Sequence, residues 1–254
     1  MPIEEHPFHL YEQSLEIFPE RISNDQYVVY HGTSILNSAR IEADGFQIGI
    51  APFDIMAAIE LVNLLRRPEF VLYDRPCVLG NTTASGLEHY LSYIQGDEAK
   101  ISFSNLSFAA TSFASGELKG GQAQHYIGEA RLILHEAVFK NTALINLIPD
   151  SVQQILNNYE DVQNNIGVVY AIKIPQTLEN FTLQNSVVFA TATVPVDLII
   201  AKVFVHGRSD IQMKIVNSKL KSKLEKNTIP VGLGILFGRQ DDDYGDINII
   251  EPID

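Results

Sequence analysis

The chain has 254 residues, 46% apolar and 19% charged, with 18 basic against 31 acidic side chains and a net charge of −13. That balance repels phosphate backbones and excludes bulk nucleic acid as an expected partner. Cys77 is the one cysteine, so an internal disulfide and a thiolate metal cluster are excluded as well.

The start, MPIEEHPFHLYEQ, is acidic and carries prolines, so no export signal of the basic-then-apolar kind is expected. Residues 9–18 predict a short helix closed by Pro19. YVVYHG (27–32) is β-branched and aromatic and predicts a strand. Thr33 or Ser34 is the candidate cap of a helix through Ala39 and Ile41, with Gly45 closing it. Residues 53–67 predict an apolar helix stopped by Pro68. Residues 70–98 hold Pro76, Gly80, Gly86 and Gly96 and predict a looser insertion, with a short helix near LEHYLSYI. ISFSN (101–105) predicts a short strand, followed by a helix through Ala109, Ala110, Phe113 and Ala114. In residues 151–163, Val152, Ile155, Leu156, Tyr159 and Val162 share one helical face.

Strands then crowd together at 168–174, 186–192 and 199–207. A helix at 211–226 with lysines on its polar side, and short strands near 231–237 and 246–250, end the prediction. Helices interrupt strands early and strands cluster late, without the regular spacing of a doubly wound sheet. The expected fold is α+β, with a split, mainly antiparallel sheet. A single domain over 1–254 is expected, with a helical or loop insertion at about 50–100 and a helix–strand extension at about 208–254. No stretch of about 18 apolar residues predicts a membrane span.

Several motif-like stretches fail on spacing. GLGILFG (232–238) does not lead from a strand into a helix, as a dinucleotide loop must. In DDDYGD (241–246) the glycine comes one place early for a calcium loop, and Pro252 stands where the closing glutamate belongs. No H-E-x-x-H pair and no G-x-S-x-G elbow is present, and no metal is expected.

YHGTSILNSARIEADGF (30–46) does not fail. An imidazole at a strand end can bond a ribose hydroxyl, and a glycine beside it lets the bare backbone meet a planar amide. His31, Gly32, Thr33, Ala39, Ile41 and Gly45 follow the pattern H-G-S/T, five residues, Ala, one residue, Ile, three residues, Gly. This resembles the opening motif of the ADP-ribosyltransferase superfamily, in its histidine-bearing, diphtheria-toxin and poly(ADP-ribose)-polymerase-like branch. The resemblance implies that His31 anchors the adenosine-side ribose of NAD, that Gly32 holds the nicotinamide carboxamide, and that Thr33 helps close the turn.

ISFSNLSFAATSFASGE (101–117) is similar to the family's second block, a strand and helix whose two aromatics, or a serine and an aromatic, enclose the nicotinamide ring. Phe113 fits the second position. The first stays open between Ser102, Phe103 and Ser104, with Phe103 on the opposite face from the two serines. QNSVVFATATVPVDLIIAKVFV (184–205) resembles the third block in its apolar pattern and in Pro195, but Asn185 stands where the family has its catalytic glutamate. A carboxylate beside a developing cation in a dry site is worth a few kcal/mol, about 10²–10³ in rate. Neutral Asn185 keeps a ribose hydrogen bond and lacks the charge. Glu117 and Glu179 are the candidate substitutes from elsewhere in the chain.

The resemblance therefore implies a mono-ADP-ribosyltransferase, with NAD as substrate and a protein as acceptor. A catalytically silent relative that binds a partner is the alternative. An NAD-dependent RNA 2′-phosphotransferase ranks lower, because Arg40 alone lies near the motif to meet a phosphate. Abundant Ile and Asn, as in NNYEDVQNN, suggest an AT-rich bacterial genome. The expected location is a cytoplasm, or a host cytosol reached by a non-classical route as an effector.

Overall fold

The computed structural model describes residues 2–11, 16–70, 79–96, 99–115, 119–184 and 187–206. Among the described residues there are seven strands: β1 (Glu4–His6), β2 (Val28–Ser34), β3 (Ile101–Ser104), β4 (Gly167–Lys173), β5 (Phe181–Gln184), β6 (Val187–Ala190) and β7 (Ile199–Val205). They form one sheet in the order β1-β7-β4-β2-β3-β6-β5. β1 runs parallel to β7, and the other neighbours are antiparallel.

The α+β class is as expected. The split, mainly antiparallel sheet is corrected to one continuous mixed sheet. Its parallel edge comes from Glu4–His6, a three-residue polar stretch with no periodic signal to read.

β4 explains the centre. GVVYAIK is buried at every residue but Lys173, because both faces of the strand are covered. One face carries Val29, Phe103, Val168, Tyr170 and Val188, with Ile41 and Phe46 packed on it. The other carries Val28, Tyr30, Val169, Ala171 and Ala201, covered by Ala110 and Ala114.

Among the described residues seven α-helices accompany the sheet: α1 (Glu20–Ser23), α2 (Ser38–Asp44), α3 (Ile55–Leu65), α4 (Leu79–Gln95), α5 (Ser107–Ser115), α6 (Gln122–Lys140) and α7 (Asp150–Asn164). α3, α4, α6 and α7 enclose a separate apolar core around Leu61, Leu65, Leu87, Ile127, Leu134 and Ile155. Each such fully buried side chain contributes about 1.5–3 kcal/mol of transfer free energy. Asp54 caps α3 by accepting from Met56 and Ala57 N–H at 2.8 and 3.1 Å.

One local expectation is overturned where it is described, and a second, the short helix near LEHYLSYI, is found to be part of a longer one. Of the helix expected at 9–18, residues 9–11 and 16–18 are not helical and 12–15 lie outside the described residues: Tyr11 N–H donates to Glu16 O at 2.9 Å in an isolated bridge, and Ile17 N–H is held by Ser107 Oγ at 2.8 Å. Tertiary bonds from α5 outweigh a weak local helical preference there. The 70–98 insertion contains the 17-residue α4, whose Leu87 and Leu91 are buried against the other helices. α6 and β5 answer to no sequence-based expectation. The predicted helix at 211–226, the strands near 231–237 and 246–250, and Cys77 lie outside the described residues. No described helix is long and apolar enough to cross a membrane.

Candidate functional site

β2 carries the motif, and its two edges are bonded differently. Toward β4 every residue from Val28 to Ser34 is paired, Gly32 with Val169 and His31 with Tyr170. Toward β3 a single pair is made, Tyr30 with Ser104. Ile174 N–H donates to Tyr27 O (2.8 Å) and Ile35 N–H to Ile166 O (3.0 Å), continuing the β2–β4 ladder beyond both ends. Bonded pairs alternate along an antiparallel ladder. The odd-numbered residues 29, 31 and 33 therefore bond to β4, and Tyr30, Gly32 and Ser34 turn their N–H and C=O toward β3.

An unbroken β2–β3 ladder would pair Gly32 with Ser102, two residues from the Tyr30–Ser104 pair on each strand. It does not. The Ser102 carbonyl instead accepts from His31 Nδ1–H, 3.0 Å away. The imidazole thus takes the acceptor that Gly32 would have used, and the Gly32 peptide edge faces the gap without a ladder partner. A buried peptide group in that state is destabilising until something bonds it. Gly32 is buried.

The histidine is half-buried and walled by rings. Phe46 lies 4.8 Å from it, centroid to centroid, and Phe103 5.6 Å, both edge-on. Burial pushes its pKa below the usual 6.5, while the bond to Ser102 O works in the other direction. At neutral pH the ring is uncharged with the proton on Nδ1, so Nε2 is a lone-pair acceptor. Tyr170 OH donates to Glu42 Oε1 at 2.9 Å, and Lys202 Nζ donates to both Glu42 oxygens at 2.9 and 3.0 Å. Burial raises the Tyr170 phenol well above its ordinary range. The sequence does not show this network, because Glu42 lies 128 and 160 residues from its two partners.

Gly32 also has a packing reason to be glycine. A Cβ there would overlap the Ala110 carbonyl oxygen of α5, and one at Gly167 would overlap that of Ala114. α5 lies this close to β2 and β4 only because both strands lack a side chain beneath it. Thr33 is buried, and its Oγ1 accepts from Asn37 Nδ2 at 2.9 Å across the turn. Ser34, not Thr33, caps the short 3-10 turn that precedes α2.

The second block falls beside the gap. Ser102 is exposed and Phe103 is 1% exposed. Phe103 packs on His31 and is no free wall for a ligand ring. Ser104 Oγ accepts from Leu106 N–H at 3.1 Å at the strand's end. Phe113 stands on α5 between Ala110 and Ala114 in sequence and is 37% exposed, so plain core packing does not account for it.

Asn185 and Glu117 lie outside the described residues. The pair flanking Asn185, Gln184 with Val187, stands level with Ser104 and Tyr30. Glu179 is exposed in the turn before β5, the edge strand three positions from β2, about 14 Å across the sheet at ordinary strand spacing. Among the described residues no group of three His, Cys, Asp or Glu side chains is placed to hold a metal.

No protein-family model matches the chain, and neither a curated protein nor a solved structure does.

Proposed function

We propose that the gap between β2 and β3 binds NAD and that the chain transfers ADP-ribose to a protein acceptor. One observation carries the reading: the Ser102 carbonyl is occupied by His31, which leaves the Gly32 peptide edge turned into the gap. A carboxamide has one acceptor oxygen and N–H donors, the complement of one peptide edge. The neutral His31 Nε2 is an acceptor suited to a ribose hydroxyl. The first two blocks of the resemblance and the start of the third, separated by many residues in sequence, run on the neighbouring strands β2, β3 and β6, and the end of the third runs on β7.

In the reaction, the bond between the ribose carbon and the nicotinamide nitrogen breaks, and nicotinamide leaves with the bonding pair. The acceptor's nucleophile forms the new bond to that carbon and loses its proton to solvent or a base. Gly32 holds the leaving nicotinamide by its carboxamide and His31 holds the retained ADP-ribose by its adenosine-side ribose, so the breaking bond lies between two fixed points. That orientation is the largest contribution this chain's neutral groups can make. Asn185 supplies no negative charge, so a carboxylate from the acceptor or Glu117 has that part. Glu179 is the poorer candidate, because it is exposed in the turn before the edge strand.

The second reading, a silent relative that binds a partner, draws support from one feature. Glu42, the carboxylate linked to His31 through Tyr170 and Phe46, is already neutralised by Lys202.

The test is incubation of the purified chain with labelled NAD and a cell lysate, repeated with His31→Ala. Label on protein that disappears in the variant is the expected result. Equal labelling by both proteins removes His31 from the reaction. NAD binding by calorimetry without any labelling selects the silent reading.

A further inference from the structure

The segment that holds His31 from behind has a consequence for the ligand side. Gly45 ends α2 with φ 76°, a conformation that favours glycine. The next residue, Phe46, forms an antiparallel bridge with Val194: each N–H donates to the other's C=O at 2.9 Å. Val194 belongs to the stretch that follows β6, so the third block of the chain grips the first by main-chain bonds. Phe46 is 4% exposed, and its ring meets His31 at 4.8 Å, Phe103 at 5.5 Å and Tyr170 at 5.8 Å, all edge-on.

The imidazole has two soft torsions and, alone, several rotamers. Here Nδ1 meets the Ser102 carbonyl, Phe103 closes one side and Phe46 another. We propose that Phe46, clamped by Val194, is a positioning residue that fixes the His31 ring with Nδ1–H on Ser102 and Nε2 presented to a hydroxyl of the ligand. This rests on the reading of His31 as the ribose anchor.

Among the described residues, the groups in contact with His31 (the Ser102 carbonyl, Phe46 and Phe103) carry no charge. On β4, Tyr170 OH is tied to Glu42; on α2, Glu42 is tied to Lys202 of β7; and β3 offers the Ser102 carbonyl. The neighbouring rings therefore hold the imidazole by shape and by excluding water, without an ion pair.

The experiment is nitrogen-15 NMR of the histidines in the full chain, with His31 assigned by its loss in His31→Ala. It is followed through a pH titration in wild type, Phe46→Leu and Phe46→Ala. In wild type, His31 is expected as one tautomer, proton on Nδ1, titrating below 6.5. Phe46→Leu keeps apolar volume and loses the ring. Its His31 is expected to show mixed tautomers and to titrate closer to 6.5, with NAD bound about tenfold more weakly, the effect of one hydrogen bond no longer prearranged.

Wild-type His31 found as a tautomer mixture would overturn the proposal without any variant. So would a folded Phe46→Leu whose His31 tautomer and titration equal those of wild type. Should Phe46→Ala unfold, the wild-type and Phe46→Leu spectra still decide. The NMR readout needs no NAD. The expected spectra together with no NAD binding by wild type would reject the ribose-anchor role while leaving the clamp in place. NAD binding with unchanged Phe46→Leu spectra would do the reverse.

Discussion

β2 has one edge paired at every residue and another paired at one. Toward β4 the ladder runs from Val28 to Ser34, and Gly32 and Gly167 let α5 lie directly on it. Toward β3 the ladder stops at Tyr30–Ser104, and a side chain takes the next carbonyl. The same strand thus builds the centre of the core on one side and, on the other, a ladder that ends after one pair. What separates the two edges is one imidazole bond. A histidine in place of a peptide N–H ends the β2–β3 ladder at Ser102, while the sheet stays continuous through Tyr30–Ser104.

The comparison can be tested from its strongest point. Gly32→Ala and Gly167→Ala each force a Cβ into an α5 carbonyl. Both should destabilise by about 3 kcal/mol or more in urea unfolding, since the helix backbone cannot yield as a side chain would. A Gly32→Ala protein as stable as wild type but unable to bind NAD would mean that the glycine serves the ligand alone.

Next, His31→Ala releases the Ser102 carbonyl, so Gly32 and Ser102 can approach and pair. NAD affinity should fall about tenfold or more, the value of one to two hydrogen bonds, measured by calorimetry. Gly32 amide exchange should slow in the same variant. Unchanged exchange would break the claim that the imidazole keeps the ladder open.

Third, the His31 pKa is lowered in the fold, so the unfolded chain binds the proton more readily. The contribution of this residue is complete above pH 6.5 and is lost as pH falls through the lower, folded value. The slope for one proton is at most about 1.4 kcal/mol per pH unit. Wild type minus His31→Ala, in unfolding free energy between pH 7 and 5, isolates it, and a difference that grows toward acid would contradict the sign.

Smallest is Phe113→Ala. With the ring 37% exposed, stability should change by less than about 1 kcal/mol. NAD should bind about two- to tenfold more weakly if the ring stacks on nicotinamide. A large stability loss with intact binding would return Phe113 to the core.

Much of the architecture was legible where periodicity was strong. α3, α7, β2, β4 and β7 were placed to within a few residues, because their apolar residues repeat at helical or strand spacing. α6 was legible in principle: Ala123, Ile127, Ala130, Leu134 and Ala137 mark one buried helical face. Residues 16–18 misled, since the bond from Ile17 N–H to Ser107 Oγ spans 90 residues. At the site, His31, Gly32 and the SFS strand were readable as a group. Phe46's clamp and the Tyr170–Glu42–Lys202 network were not, because each is made by residues brought together from distant segments.

By itself, the amino-acid order determined the kinds of group available: a histidine and glycine side by side on an apolar strand, a neutral Asn185, an acidic chain with one cysteine. Side-chain chemistry and local periodicity belong to the residues themselves. Tertiary structure alone decided that the imidazole would cap Ser102, that Gly32 would face a gap, and that Val194 would pin Phe46. Those outcomes depend on which strands become neighbours, and strand neighbours are chosen by burial summed over the whole sheet.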